Sequence, residues 1–121
     1  MESSWGVRDR KECRLMKIGI IIETKEAEKS WNAMRFGVTA RKKGHEVKVF
    51  LMGEGVEIQE ITEKPYDTSG QMEAFLEAGG EMLACGTCLQ SRNMKDSASC
   101  PMSTMMDCLN MVEWADKVVT F

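Results

Sequence analysis

No stretch of this 121-residue sequence is apolar for long enough to cross a bilayer: the longest aliphatic run is Ile20 to Ile22, against about 20 residues for a spanning helix. The N-terminus sets Arg8, Arg10, Lys11 and Arg14 among Asp9 and Glu12, without the apolar core of a signal peptide. A cytoplasmic location is therefore expected, with no membrane partner. An excess of positive charge is missing too. Sixteen Lys and Arg against 19 Asp and Glu leave a formal charge of −3, so a nucleic-acid partner is not expected. The one basic run, Arg41-Lys42-Lys43, falls at the end of a helical stretch, where cations complement the helix dipole. Histidine occurs once, as His45 directly before a strand, and with no sequence-adjacent partner it reads as structural. Gly53-Glu54-Gly55 lacks the third glycine of a dinucleotide fingerprint and the lysine of a P-loop, which leaves a turn. No Met-x-Met repeat exists among the eleven methionines, so they read as core filler at helical positions rather than as a copper site.

What remains is one small domain. A chain of this size buries roughly two-thirds of its unfolded surface, enough for one core and not two. Five cysteines are an odd number, and in a reducing compartment they are reactive or buried thiols rather than a disulfide framework. Met1 to Leu15 show neither strand nor helix spacing and are expected to be an N-terminal extension, with Met16 a candidate start; a short ordered arm is the alternative.

From Met16 the pattern alternates. Lys17 to Ile22 is β-branched with almost no polar interruption, as in a strand covered on both faces. Ala27, Trp31, Met34 and Val38 recur at helical spacing, and Gly44 follows as a stop. Glu46 to Met52 reads as a second strand, and Val56 to Asp67 as a short helix and a loop. Thr68-x-x-Gln71 has capping-box spacing before Met72, Phe75 and Leu76, and Gly79-Gly80 closes that helix. Met82 to Ala84 reads as a third strand. Thr104-x-x-Asp107 opens a helix with Met105, Leu109 and Val112 on one face, and Lys117 to Phe121 supplies the last strand. Such alternation predicts a three-layer α/β/α domain with a mainly parallel sheet of four to five strands. Functional groups on such a sheet sit where strands end, here at Glu23–Glu26, Gly53–Val56 and Cys85–Cys88.

Cys85-Gly86-Thr87-Cys88 is the sharpest feature, because it follows a buried strand and opens a helical turn. A helix N-terminus offers free backbone N–H groups to a thiolate. Lowering a thiol pKa from about 8.5 to about 7 raises its ionised fraction at neutral pH from roughly 3 to 50 per cent. Three chemistries use such a pair: a persulfide carried by one thiolate, a dithiol/disulfide cycle, and a four-thiolate metal site with Cys100 and Cys108. The metal reading is weak, because Cys100 and Cys108 are not spaced as a second Cys-x-x-Cys. Two buried thiols filling a tight turn are the plain alternative. Gly86 and Thr87 offer backbone donors, and Arg92 faces either the thiolate or solvent, solvent being the default for arginine. The polar segment Gln90 to Ser103 is long enough for a flap, on which Cys100 is either a sulfur acceptor or an inert exposed thiol. Trp5, Trp31 and Trp114 mark either an interface or the core.

Lys17 to Ile22, the run Arg41 to Leu51, Gly53-Glu54-Gly55-Val56, and Gly79-Gly80-x-x-x-Ala84-Cys85-Gly86-Thr87-Cys88 together resemble the DsrE/DsrF-like family, which includes TusD-type sulfur-relay subunits. The resemblance spans Met16 to Phe121 and rests on the order and spacing of these segments. It implies an intracellular sulfur-transfer protein with Cys85 as persulfide carrier, sulfur donor and acceptor proteins as partners, trimeric or hexameric assembly, and no cofactor or metal. Cys88 has no counterpart in the TusD-type active subunits and would be an auxiliary thiol. Dithiol redox work by Cys85 and Cys88, or a noncatalytic place in a relay assembly, are the alternatives.

Overall fold

The computed structural model describes residues 15–98 and 100–121, so the extension, with Cys13 and Trp5, lies outside the described residues apart from Leu15. Five strands, β1 (Lys17–Ile22), β2 (Glu46–Leu51), β3 (Glu81–Cys85), β4 (Met102–Ser103) and β5 (Lys117–Thr120), form one sheet in the order β4-β3-β2-β1-β5. Every pairing is parallel. The expected α/β architecture holds, with β4 as a strand the sequence did not disclose.

Two helices cover one face. In α1 (Ala27–Lys42) the Glu26 side chain caps the first turn by accepting from Lys29 N and Glu28 N. Its buried stripe is Ser30, Ala33, Met34, Gly37 and Val38, whereas Ala27 and Trp31 are only half-buried. Met34 and Val38 are buried as expected, and the rest of the stripe is made of small residues where α1 packs closely on α2 (Thr68–Glu77): a side chain at Gly37 would meet the Phe75 ring at 3.1 Å. Trp31 turns aside to Tyr66, with ring centroids 5.2 Å apart. Asp67, not Thr68, caps α2 by accepting from Gly70 N; Thr68 lies inside the helix, fully buried, its hydroxyl 3.1 Å from that of Ser30. The expected capping box is thus replaced by a single aspartate cap. Gly44 at φ 103° and Gly79 at φ 95° follow α1 and α2, at angles that side chains rarely adopt.

Arg41 ties the two helices to the sheet. Its Nε donates to Ala78 O and its Nη1 to His45 O. His45 is structural as expected: buried, it accepts from Met16 N through Nδ1 at 2.9 Å.

The second face is thin. A single ten-residue helix, α4 (Met105–Trp114), crosses from edge strand β4 to β5. Thr104 and Asp107 form the expected capping box. Met111 packs over Gly19, where an added Cβ would lie 3.2 Å from its Cε. The stripe expected to be buried is turned outward, however: Met105, Leu109 and Val112 are 56, 49 and 39% exposed, and Cys108 and Met111 face the sheet instead. Apolar residues stand all round this helix, so periodicity alone does not choose the inward stripe. Met106 of the same helix and Met102 of β4 are exposed as well, which removes them from the expected core.

Between β2 and α2, a 3-10 helix (Gly53–Glu60) begins at the glycine turn itself, three residues earlier than the sequence suggested. Gln90 to Ser103 is no free flap. It contributes β4, whose Met102 and Ser103 pair with Ala84 and Cys85, and it buries Cys100. Two residues are too few to show alternation, and only the neighbouring strand makes them a strand.

Candidate functional site

The three strand-end turns singled out in the sequence meet. Gly53 N donates to Cys88 Sγ at 3.1 Å, joining the turn after β2 to that after β3. Glu57, on the 3-10 helix, accepts from Arg92 Nε at 2.7 Å and lies 3.6 Å from Lys25 Nζ, which brings in the turn after β1. Strand order reverses between β1 and β5, the usual place for a ligand crevice. There the backbone bond from Glu23 N to Phe121 O spans the strand ends, and the thiols stand two strands away.

Cys85 ends β3 and forms the N-cap of α3 (Gly86–Gln90). It is 4% exposed and packs with Phe50, Cys108 and Met111 on the thin face of the sheet. Cys88, half-buried in α3, touches the cores of both faces. The backbone donor that reaches a thiol is therefore Gly53, rather than Gly86 or Thr87 of the same turn. Thr87 is exposed and Gly86 buried against Met102.

Arg92 does not take its default place in solvent. Besides Glu57 it donates to Cys88 O at 3.1 Å, and its side chain is 29% exposed. The Arg92 hydrogen bond holds the Glu57 carboxyl below its usual range, with the Lys25 charge adding to it. Cys88 feels opposing influences: burial pushes its thiol up, the Gly53 N–H pulls it down, neighbouring Cys85 pushes it up again, and Arg92 pulls down. Burial wins. The thiol-lowering effect expected of a helix start is thus outweighed at Cys88 by desolvation, the largest influence on its thiol.

Cys108 is the residue that sequence reasoning missed. Considered in the sequence only as a ligand of the weak four-thiolate reading, it joins the Cys85 cluster, and burial followed by the nearby Cys85 pushes its thiol up. No local signal marks it, since its nearness to Cys85 depends on the crossover of α4. Cys100 behaves oppositely: 1% exposed, it packs in the α1/α2 core. It is neither an exposed thiol nor a partner of Cys85, and the four cysteines do not converge. Among the described residues, no group of three or more His, Cys, Asp or Glu side chains is placed to hold a metal ion. Trp31 lines an open groove with Pro65 and Gln71 on the α1/α2 side, while Trp114 lies half-buried with Lys48 Nζ 4.3 Å above its ring.

Burial of Cys100 has a measurable consequence. Its thiol is pushed up to about 11, from an ordinary value of 9.0, first by burial and then by Asp96. The folded state holds the proton that the unfolded chain releases near pH 9, so stability is flat below about pH 8 and falls between about 9 and 11. The full loss is about 3 kcal/mol at 1.36 kcal/mol per unit. Denaturant unfolding from pH 7 to 11 should show this decline in the parent and a shallower one in Cys100→Ala; equal slopes would contradict it.

The model of the DsrE/DsrF-like family matches residues 16–121. An uncharacterized protein of Methanopyrus kandleri is 32% identical over 100 residues, covering 78% of this chain and 83% of that protein. Another, of Methanocaldococcus jannaschii, is 31% identical over 100 residues, covering 78% and 88%. Among solved structures, the ychN protein from E. coli superposes with a TM-score of 0.75 at 20% identity over 89% of this chain and all of its own. A conserved protein of unknown function from Bacteroides thetaiotaomicron gives 0.70 at 15% identity, over 87% and 94%. These two likenesses concern the fold. The family model spans all of the chain from residue 16 onward, and the chain belongs to the DsrE/DsrF-like family.

Proposed function

We propose that this protein transfers sulfur, carrying it as a persulfide on Cys85 with Cys88 as auxiliary thiol. Family membership points to sulfur-relay-related work. The observation that carries the finer reading is the pairing of two free thiols at one strand end, with the outer sulfur held by the Gly53 N–H. In this reading the Cys85 thiolate attacks the terminal sulfur of a persulfide donor, a new S–S bond forms, and the donor leaves as a thiolate. The Gly53 N–H and the Arg92 guanidinium favour negative charge at the outer sulfur.

Intact-mass measurement after incubation with a persulfide donor tests it. The parent should gain one sulfur atom that reductant removes, and Cys85→Ser should gain none. Uptake by Cys85→Ser at the parental rate would overturn the carrier role.

The contact between Cys85 and Cys88 also favours dithiol redox work. A reversible Cys85–Cys88 disulfide with a potential near the cytosolic poise supports that second reading, and its absence under mild oxidant removes it. A noncatalytic relay subunit would keep Cys85 unreactive, so rapid labelling of this thiol at neutral pH excludes it. Sulfur donor and acceptor proteins and a homo-oligomer, trimeric or hexameric, belong to the main reading. The exposed apolar side chains of Met102, Met105, Met106, Leu109 and Val112 support assembly, because large exposed apolar patches mark interaction surfaces. Light scattering should give a trimer or hexamer; a monomer at micromolar concentration would remove that part.

A further inference from the structure

Two contacts from one short helix hold the auxiliary thiol. Gly53 N, at the start of the 3-10 helix, donates to Cys88 Sγ at 3.1 Å. Later in the same helix, Glu57 accepts from Arg92 Nε at 2.7 Å, and Arg92 Nη1 donates to Cys88 O at 3.1 Å. Cys88 is thus gripped at its sulfur directly, and at its carbonyl through an arginine that the Glu57 carboxylate places. The carrier reading uses the Gly53 N–H and the Arg92 guanidinium and leaves Glu57 without a part.

Glu57 sits between the two cations of the strand-end cluster. Its Oε2 faces Arg92, its Oε1 lies 3.6 Å from Lys25 Nζ, and its side chain is about as shielded from water as that of Arg92, at 25 against 29% exposed. Charges in partly shielded positions act on each other more strongly than in open water. Among the described residues, the groups that face Cys88 are the Gly53 N–H from the 3-10 helix, the Cys85 thiol from the end of β3 and Arg92 from the turn after α3; Glu57 and Lys25 stand behind Arg92.

Helix geometry fixes the neighbour of Cys88. Cys85 is the N-cap of α3 and Cys88 its third residue, and side chains at those two places face each other, as they do in a capping box. Thiol exchange goes through the thiolate and depends on access. A persulfide on Cys85 is therefore open to attack from Cys88 whenever that thiol is ionised.

We propose that Glu57 is a positioning residue of this site: by engaging Arg92 and Lys25 with one carboxylate, it withholds their charge from the Cys88 sulfur and keeps that sulfur docked on Gly53, so that sulfur carried on Cys85 waits for an acceptor. The inference rests on the persulfide reading. Burial acts in the same direction, since desolvation pushes the Cys88 thiol up and Arg92 is the one charged side chain that pulls it down. The reaction held back needs no further reagent. A Cys88 thiolate bonds to the Cys85 sulfur, the bond from Cys85 to the terminal sulfur breaks, and that sulfur leaves with the electron pair as hydrosulfide. The terminal sulfur is reduced by two electrons, and the two cysteine sulfurs are together oxidised to a disulfide.

Glu57→Gln is the informative variant, because an amide oxygen still accepts from Arg92 Nε while the negative charge is gone. Alkylation of Cys88 in the unloaded full chain, followed by peptide mass spectrometry over about pH 6 to 9, should move to lower pH in Glu57→Gln and to higher pH in Arg92→Gln. Mere loosening of the turn would move both profiles the same way, so a profile that does not fall in Glu57→Gln, or does not rise in Arg92→Gln, would overturn the assignment. The second measurement loads the chain with inorganic persulfide, removes the excess and follows hydrosulfide. Glu57→Gln should release it about threefold faster than the parent or more, with one Cys85–Cys88 disulfide for each hydrosulfide. Parental release from Glu57→Gln would overturn the protective role while leaving the carrier reading intact, whereas failure of the parent to take up sulfur on Cys85 would overturn both.

Discussion

Replacing Gly55 with alanine should abolish the folded state or come close to it. A Cβ at this position would lie 2.0 Å from the Ile22 carbonyl oxygen and 2.7 Å from its carbon. The obstacle is main chain at the end of β1, not the tip of a flexible side chain, so either β1 or the 3-10 helix must move. Met52 N donates to that same carbonyl, and Gly55 N donates to Met52 O, so any shift also breaks the exit from β2. A backbone clash of this kind belongs with the rare substitutions that cost more than about 4 kcal/mol. Total stabilities of small domains are about 5 to 15 kcal/mol. Denaturant unfolding of Gly55→Ala should show little or no folded baseline, and a loss below about 1 kcal/mol would mean that the close approach is not as described. A surviving folded fraction should also lose the Gly53 N–H contact to Cys88, because Gly53 and Gly55 share one helical turn.

Phe50→Ala should destabilise the protein by about 3 to 5 kcal/mol. The ring is fully buried on the thin face, and its cluster partners are Cys85, Cys108 and Met111. On the α1/α2 side many core residues can close around a void, whereas here one helix forms the whole layer. Phe50→Leu, which keeps most of the volume, should cost much less, about 1.5 kcal/mol or below. The same substitution has a chemical readout. Labelling of a buried thiol follows the population of opened molecules, and each 1.4 kcal/mol is a factor of ten, so Cys85 in Phe50→Ala should label about a hundredfold faster or more. Unchanged labelling alongside the stability loss would show that Cys85 reacts through a local opening independent of the Phe50 layer.

Both substitutions act at places that the chain pattern half discloses. Gly55 was visible as a turn residue, and Phe50 as part of a buried strand. What Gly55 touches is another strand end thirty-three residues earlier, and that neighbour follows from parallel pairing of β1 with β2. The cysteine turn was legible for the same reason as the strands: an apolar run ending at Cys85, then Gly86, and a helical turn after it. The groups that act on it were not. Gly53, Glu57 and Lys25 come from two other strand ends, and nothing in their own surroundings announces that they meet Cys88 and Arg92.

By itself, the sequence determined the alternation of strands and helices, the long buried strands, the stops at Gly44 and Gly79, the capping box at Thr104 and the candidate thiol turn. These depend on residue periodicity, backbone preference and side-chain reach over one turn, all of them local. Only the tertiary structure decided which stripe of α4 faces the sheet, whether Met102 and Ser103 form a strand, and how the cysteines divide. An edge strand of two residues exists because β3 offers it hydrogen bonds, and a helix apolar on every side is oriented by what lies beneath it. Sheet order sends Cys100 into the α1/α2 core and brings Cys108 against Cys85. The number of thiols was plain in the sequence; their grouping required the crossover of α4 over the thin face of the sheet.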